Sequence, residues 1–264
     1  MNVTNVLMTA AAVIIFTVAG CTPRLNVSPQ VGILQSPEQI LQKVKMKDRA
    51  TEGIQGKAKV SVDTPNGRYV RNVAIIVKRP DRLRVDALPY FGTPDFFLSV
   101  KDGILKVFLP GEDHFYIGES SKENLYTFFR IMLDGDEIIP LLTGALPPNI
   151  GISCTLRGAM TENGYRIDSV TDGIVTSSIM VGLEDTTIRR MSLYDHDEVI
   201  YSVVFEDHRK LGDAVVPYTI EIDIKKPRKI HATIRYSQLQ PMENDREGLF
   251  DLPVPEGLQP VIIE

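Results

Sequence analysis

Gly56-Lys57-Ala58-Lys59-Val60-Ser61-Val62-Asp63 alternates charged or polar residues with Ala58, Val60 and Val62, and Arg68 to Lys78 follows after Pro65-Asn66-Gly67. A period of two places alternate side chains on opposite faces of a strand, and a Pro-Asn-Gly stretch supplies turn residues, so the segment predicts a β-hairpin. Downstream, Arg82-Leu83-Arg84-Val85-Asp86-Ala87 alternates without a break. Phe96 to Val100, Leu105 to Leu109 and His114 to Ile117 continue the pattern between Gly and Pro breaks. Short strands in succession with tight breaks describe an antiparallel meander. The pattern resumes from Gly151 to Gln240, with strands expected near 151–158, 164–169, 173–182, 187–195, 198–206, 215–225 and 228–239. Glu162-Asn163-Gly164 and Thr171-Asp172-Gly173 mark hairpin turns. So many strands need closure or cover to protect their edges. No repeat of solenoid period is present.

Helical spacing occurs in three places. Ser36 can cap a helix with Pro37 in its first turn and Gln39 closing a capping box, and Ile40, Leu41 and Val44 share one face; this helix ends before Gly53. Ser120, with Glu123 three residues on, predicts a second cap, and Leu125, Phe128, Phe129, Met132 and Leu133 form one apolar stripe. After Asp134-Gly135-Asp136 a short helix carries Ile138, Ile139, Leu141 and Leu142 and stops near Gly144. The natural use of the last two is to cover a sheet. Pro241, Pro253, Pro255 and Pro260 keep the final segment extended, with Phe250, Leu252 and Val254 expected to pair at a sheet edge.

The chain has 264 residues, net charge −5 from 29 basic and 34 acidic residues, and no Trp. That balance carries no footprint for nucleic acid. Near the N-terminus an apolar run from Val6 to Val18 leads into Val18-Ala19-Gly20-Cys21. Thirteen residues fall short of the roughly 20 needed to cross a bilayer as a helix. The run and its small-residue ending resemble the signal peptide and lipobox of bacterial lipoprotein precursors. That resemblance implies cleavage before Cys21 and covalent lipid (diacylglycerol and an amide-linked acyl chain such as palmitate) on Cys21. Residues 1–20 are then a removed signal peptide, 21–35 a lipidated tether broken by Pro23 and Pro29, and 36–264 a single domain with a Pro-rich extension. One acyl chain holds a protein only marginally, whereas two or three give a durable anchor. Thr22, where an Asp favours inner-membrane retention in enterobacterial lipoproteins, leans the expectation to the outer membrane, facing the periplasm. With Cys21 lipidated, Cys154 has no disulfide partner in the chain, and alternation predicts Ile152, Cys154 and Leu156 on the core face of a strand.

Catalytic signals are scarce. The sequence has no Gly-x-Ser-x-Gly elbow, P-loop, Gly-x-Gly-x-x-Gly or His-Glu-x-x-His motif, and His114, His196, His208 and His231 are scattered. Asp134-Gly135-Asp136-Glu137 lacks the later oxygen ligands of an EF-hand. Asp195-His196-Asp197-Glu198, Glu206-Asp207-His208-Arg209-Lys210 and Lys225-Lys226-Pro227-Arg228-Lys229 read as solvated turns, the last also able to touch anionic lipid head groups. The expectation is a protein with no catalytic residues, no metal and no cofactor beyond the lipid on Cys21.

Leu88-Pro89-Tyr90-Phe91-Gly92-Thr93-Pro94-Asp95-Phe96-Phe97 resists a bland reading. A loop between two strands should be polar, yet this one carries adjacent aromatics between prolines. Two readings stand: Tyr90 and Phe91 form an exposed contact tip, or they fold back and plug the sheet.

The first helix and Gly53-Ile54-Gln55-Gly56, with Arg82-Leu83-Arg84-Val85, Pro89-Tyr90-Phe91-Gly92, the helix pair from Ser120 to Gly144 and Phe250-Asp251-Leu252-Pro253-Val254-Pro255, resemble the LolA-like and LolB-like lipoprotein-sorting proteins and related outer-membrane lipoproteins. The resemblance covers most of residues 36–255 and implies a mainly β fold, an unclosed antiparallel barrel whose concave apolar face is covered by short helices and receives acyl chains. It implies that Leu125, Phe128, Phe129, Met132 and Ile139 line the acyl-chain cavity and its lid. Tyr90 and Phe91 occupy the position of a membrane-insertion loop. The implied function is to bind acyl chains as a membrane-anchored monomer, accepting lipoproteins or lipids from a periplasmic carrier and delivering them to the outer membrane. The alternative is a non-catalytic accessory lipoprotein of an envelope assembly.

Overall fold

In a computed structural model, residues 35–48, 51–89, 91–242 and 248–264 are described. Cys21, the signal peptide, the tether up to residue 34 and Tyr90 lie outside them. Gln35–Glu264 forms one structural unit.

Helix α1 (Pro37–Asp48) starts with the expected capping box: Ser36 N–H donates to Gln39 Oε1 at 3.1 Å and Gln39 N–H to Ser36 Oγ at 3.3 Å. Two meanders follow. The first runs β1 (Gly53–Thr64), β2 (Gly67–Lys78), β3 (Arg82–Ala87), β4 (Phe97–Lys101), β5 (Ile104–Leu109) and β6 (His114–Glu119). After helices α2 (Lys122–Phe129) and α3 (Gly135–Leu141), the second runs β7 (Thr155–Thr161), β8 (Gly164–Thr171), β9 (Ile174–Val181), β10 (Ile188–Asp195), β11 (Glu198–Leu211), β12 (Ala214–Ile224) and β13 (Ile230–Pro241). Strand β1 pairs with β13 and β14 (Val261–Ile262) with β6, giving one open sheet ordered β14-β6-β5-β4-β3-β2-β1-β13-β12-β11-β10-β9-β8-β7. Every pairing is antiparallel except β14 on β6. The sheet is an unclosed antiparallel barrel.

At the seam between the meanders the ladder bulges between Lys57 and Ala58, and Gly56 faces β13 so closely that a Cβ would stand 2.0 Å from the Gln238 carbonyl oxygen. Only glycine fits that approach. One face of the sheet, bearing Ile54, Ala58, Ile75, Val85, Leu98, Val203 and Ile222, is covered by α2, α3 and the segment to Ile150; we call it the inner face. On the outer face, paired Phe97, Phe108 and Phe115 form an aromatic ladder with centroids 6.1 and 6.2 Å apart.

Antiparallel alternation sends the connections at 65–66, 88–96, 110–113, 172–173, 196–197 and 225–229 to one rim of the sheet. Those at 79–81, 102–103, 162–163, 182–187 and 212–213 reach the opposite rim. Gln35 and α1 belong to this opposite rim: Tyr165 Oη donates to the Gln35 carbonyl at 3.4 Å, and Arg79 donates to the carbonyls of Asp48 and Thr51, capping the helix C-terminus.

Four expectations are corrected. Helix α2 stops at Phe129 because Arg130 takes a left-handed cap (φ 60°), so Met132 and Leu133 are not helical, and Ser121 rather than Ser120 is the N-cap. Strand β7 starts only at Thr155; Ile152 is 58% exposed and Cys154 sits half-buried in a bend. Residues 206–210 continue β11 to a turn at 212–213, and His208 is half-buried, with Nδ1 2.7 Å from Arg189 and Nε2 3.2 Å from the Ile188 carbonyl. Finally, Phe250 and Leu252 do not pair at an edge: their segment crosses the outer face, held by Arg84 to the Leu249 carbonyl (3.1 Å), Ser99 to the Phe250 carbonyl, and Lys101 to Asp251 (2.7 Å). The edge is taken by Val261–Ile262.

Candidate apolar cavity and its aromatic rim

Between the inner face and the helices lies a cavity of about 70 Å³, partly open to solvent. The sheet contributes Val60, Ile75, Leu83, Val85, Leu98 and Ile234, and the cover contributes Leu125, Phe129, Ile131, Ile138 and Leu142; all eleven are apolar. Strand alternation puts the first six there, and the capped helices and the link between them bring the rest against them. A cavity without polar partners does not hold water favourably, and roughly 150 Å³ is needed to admit benzene. An acyl chain therefore enters this space only if the cover moves.

The five residues expected in the lid do not all meet. Leu125 and Phe129 line the cavity. Phe128 turns to Tyr116, with ring centroids 5.0 Å apart. Ile139 is buried in the core and Met132 packs at its margin, while their neighbours Ile138 and Ile131 take the lining positions. The early end of α2 shifts the phase of everything after it by breaking the 3.6-residue period.

Polar contacts hold the cover in place. Asp134 and Glu137 form a capping box at the start of α3 (2.9 and 3.2 Å), and the buried Glu137 carboxylate also pairs with Lys122 of α2 at 3.2 Å. Tyr236 Oη donates to the Leu142 carbonyl at 2.9 Å, tying the end of the cover to β13. Beneath α3, the Tyr201 hydroxyl is buried beside the Glu137 carboxylate, and burial together with that nearby negative charge pushes its ionisation far above the ordinary phenol range. Burial likewise raises the Asp134 carboxyl.

One rim carries the aromatic loop. Phe91 is 94% exposed, so its ring does not plug the sheet. Five residues on, Phe96 stands edge-on to Phe129 at 5.5 Å, which places the loop beside the cavity's cover. Along the inner face of β1 and β2 the aliphatic lining gives way toward this rim: Val60 is opposite Arg71, and Val62 opposite Tyr69. Arg71 pairs with Asp95 of the loop at 3.2 Å. Arg130 lies 5.9 Å from the Tyr69 ring and 5.6 Å from Tyr126, and Arg228 of the 225–229 turn lies 5.3 Å from Tyr126. Sequence reading placed Lys225 to Lys229 in a turn, but nothing in the sequence connects that turn to Tyr126 or Arg130. Among the described residues no cluster of His, Cys, Asp and Glu could hold a metal ion, and no helix is long and apolar enough to cross a membrane.

No protein family's sequence profile matches the chain, and no curated protein matches it in sequence. Solved structures do match in shape. A DUF1329 family protein from Desulfovibrio piger superposes with a TM-score of 0.60 at 14% identity, covering 81% of this chain and 95% of its own. A domain from Vibrio parahaemolyticus, described as belonging to an outer membrane lipoprotein-sorting protein, gives 0.56 at 10% identity, covering 82% and 97%. A LolA superfamily protein from Nitrosomonas europaea gives 0.55 at 12%, also covering 82% and 97%. The chain has the LolA-like fold.

Proposed function

We propose that this protein is a non-catalytic, membrane-anchored lipoprotein that binds acyl chains between its inner sheet face and the α2–α3 cover. It receives lipoproteins or lipids from a periplasmic carrier and releases them to the outer membrane. The observation that carries the reading is the wholly apolar cavity under a cover attached by a handful of polar contacts. The lipoprotein-sorting description of a structural neighbour agrees with it. In this reading lipid on Cys21 anchors the chain, the protein works as a monomer, and Phe91 enters the bilayer surface.

Magnitudes decide whether the cover can open. Lifting it re-exposes Leu125, Phe129, Ile131, Ile138 and Leu142, at a cost on the order of 10 kcal/mol from roughly 2 kcal/mol per side chain. Each methylene buried returns about 0.8 kcal/mol, so a chain of about 16 carbons offsets the opening and a second chain makes binding favourable. A ligand gains only its differential affinity for the open state, so short chains should fail.

The test is a Cys21→Ala protein made without residues 1–20, examined for co-purified lipid and titrated with fluorescent acyl probes of increasing length. Affinity should rise about fourfold per added methylene until the cavity is full. A protein that purifies empty and ignores every probe sinks the carrier reading and leaves the accessory one. In lipidated protein, Phe91→Glu should preserve folding and probe uptake while transfer to vesicles falls at least tenfold, because the exposed ring contributes to the bilayer step alone. Unchanged transfer would remove Phe91 from the mechanism.

A further inference from the structure

We propose that Arg130 and Arg228, at the mouth of the cavity, form a recognition site for the phosphate of a lipid head group whose acyl chains occupy the cavity. This inference rests on the acyl-binding reading and narrows its cargo to a phosphate-bearing lipid.

The two guanidiniums reach one ring from separate parts of the chain. Arg130 is the left-handed cap residue that follows the cavity-lining Phe129, and Arg228 is in the turn between β12 and β13. Arg130 lies 5.6 Å and Arg228 5.3 Å from the centroid of Tyr126, and Arg228 Nη1 donates to Tyr126 Oη at 3.3 Å. Tyr69 adds a second ring 5.9 Å from Arg130. The neighbouring Arg71 is neutralised by Asp95, whereas among the described residues neither Arg130 nor Arg228 has a carboxylate within ion-pair distance.

Contact with tyrosine faces holds Arg130 without consuming its in-plane N–H groups, and Arg228 spends one of its N–H groups on the Tyr126 hydroxyl, so both keep donors that match the oxygens of a phosphate. Two like charges gathered on one ring repel each other, and a bound anion between them turns that repulsion into attraction. Their place at the point where the inner face of β2 passes from aliphatic Ile75 and Val73 to Arg71 and Tyr69 sets a phosphate at the water boundary with chains running inward. Uncharged diacylglycerol would leave both cations unused.

The decisive measurement compares a phosphatidylglycerol bearing two chains of about 16 carbons, long enough to offset opening of the cover, with the diacylglycerol of the same chains, each delivered from cyclodextrin, using wild-type protein and the Arg130→Asn/Arg228→Gln double variant. Asn tolerates the left-handed backbone at position 130, and unaltered diacylglycerol binding by the variant reports an intact cavity. We expect wild type to prefer phosphatidylglycerol by about tenfold and the variant to lose that preference. Equal affinity of wild type for the two lipids, or a preference that survives in the variant, overturns the proposal while leaving the acyl-binding reading standing. Failure to bind either lipid overturns both. Inorganic phosphate that binds as tightly as phosphatidylglycerol would mark a free-anion site instead. So would a variant defective only on phosphatidylglycerol vesicles mark a surface contact; each of these also overturns the assignment.

Discussion

At the level of single residues, Asp48 is poorly placed for a carboxylate. It ends α1, where the helix presents carbonyl oxygens and a negative dipole end, and burial pushes its carboxyl up to about 6 despite the opposing charge of Arg79. In the unfolded chain the same group titrates near 3.8. Because the folded value is the higher, the protonated form stabilises the fold fully below pH 3.8, and that contribution disappears as pH rises through about 6. The cost above this window is about 3 kcal/mol at most, the free-energy equivalent of the displacement from 3.8 to about 6. Asp48→Asn removes the charge while keeping an acceptor for the Leu146 N–H at 3.5 Å. Urea unfolding should find the variant more stable by about 1–3 kcal/mol at pH 7.5, with the gap closing toward pH 4. A variant less stable at pH 7.5 would mean that attraction between Asp48 and Arg79 outweighs burial. None of this is legible in the sequence, where Asp48 is one more polar residue after an amphipathic stripe. Burial created by a rim that closes from residues 79 and 146 has no local signature.

At the level of elements, the strands could be read because each carries its own alternation: Arg82–Ala87 occupies the bounds that its pattern indicates. What failed was any feature set by a neighbour. Ser121 outcompetes Ser120 as the cap of α2 because Ser120 is already engaged through its backbone, donating to Gly103 and accepting from Gly135. Arg130, which no rule marks as a helix end, takes the left-handed turn between two tyrosine rings. The cavity was half legible for the same reason. Val60 announces an inward face, but nothing in alternation separates an inward residue beside a void from one in tight packing. The tail shows the limit most directly, since Phe250 and Leu252 are spaced like a strand yet serve as a patch. Both are buried over an outer face whose aromatic ladder includes the fully buried Phe115, and all three lie outside the main core. Phe250→Ala should therefore cost about 3–4 kcal/mol and raise binding of a hydrophobic dye, leaving acyl-probe uptake on the other face intact. A loss of uptake in step with stability would show that the two faces unfold as one.

At the level of the whole molecule, the two features proposed to meet the bilayer lie on opposite rims. Gln35 leaves beside Tyr165 and the 162–163 turn, while Phe91 is on the rim of the 65–66 and 225–229 turns. Strand β1 has 12 residues and spans about 40 Å between the rims at roughly 3.3 Å per residue. The 14 residue steps from Cys21 to Gln35 reach at most about 50 Å when fully extended. That length suffices for a lipid on Cys21 and the Phe91 ring to engage one membrane, with little to spare. Deleting residues 26–32 halves the reach to about 25 Å, less than the strand length. The shortened lipoprotein should fold, bind acyl probes and remain on membranes as before, yet transfer cargo to its own membrane at least tenfold more slowly, since its loop rim is held away from the surface. Replacing the seven residues with an unrelated Gly-Ser stretch of equal length should restore the rate, because the requirement is for length. Normal transfer by the deletion variant would show that the loop rim does not approach the membrane that holds Cys21, and would direct its aromatic tip to a different surface.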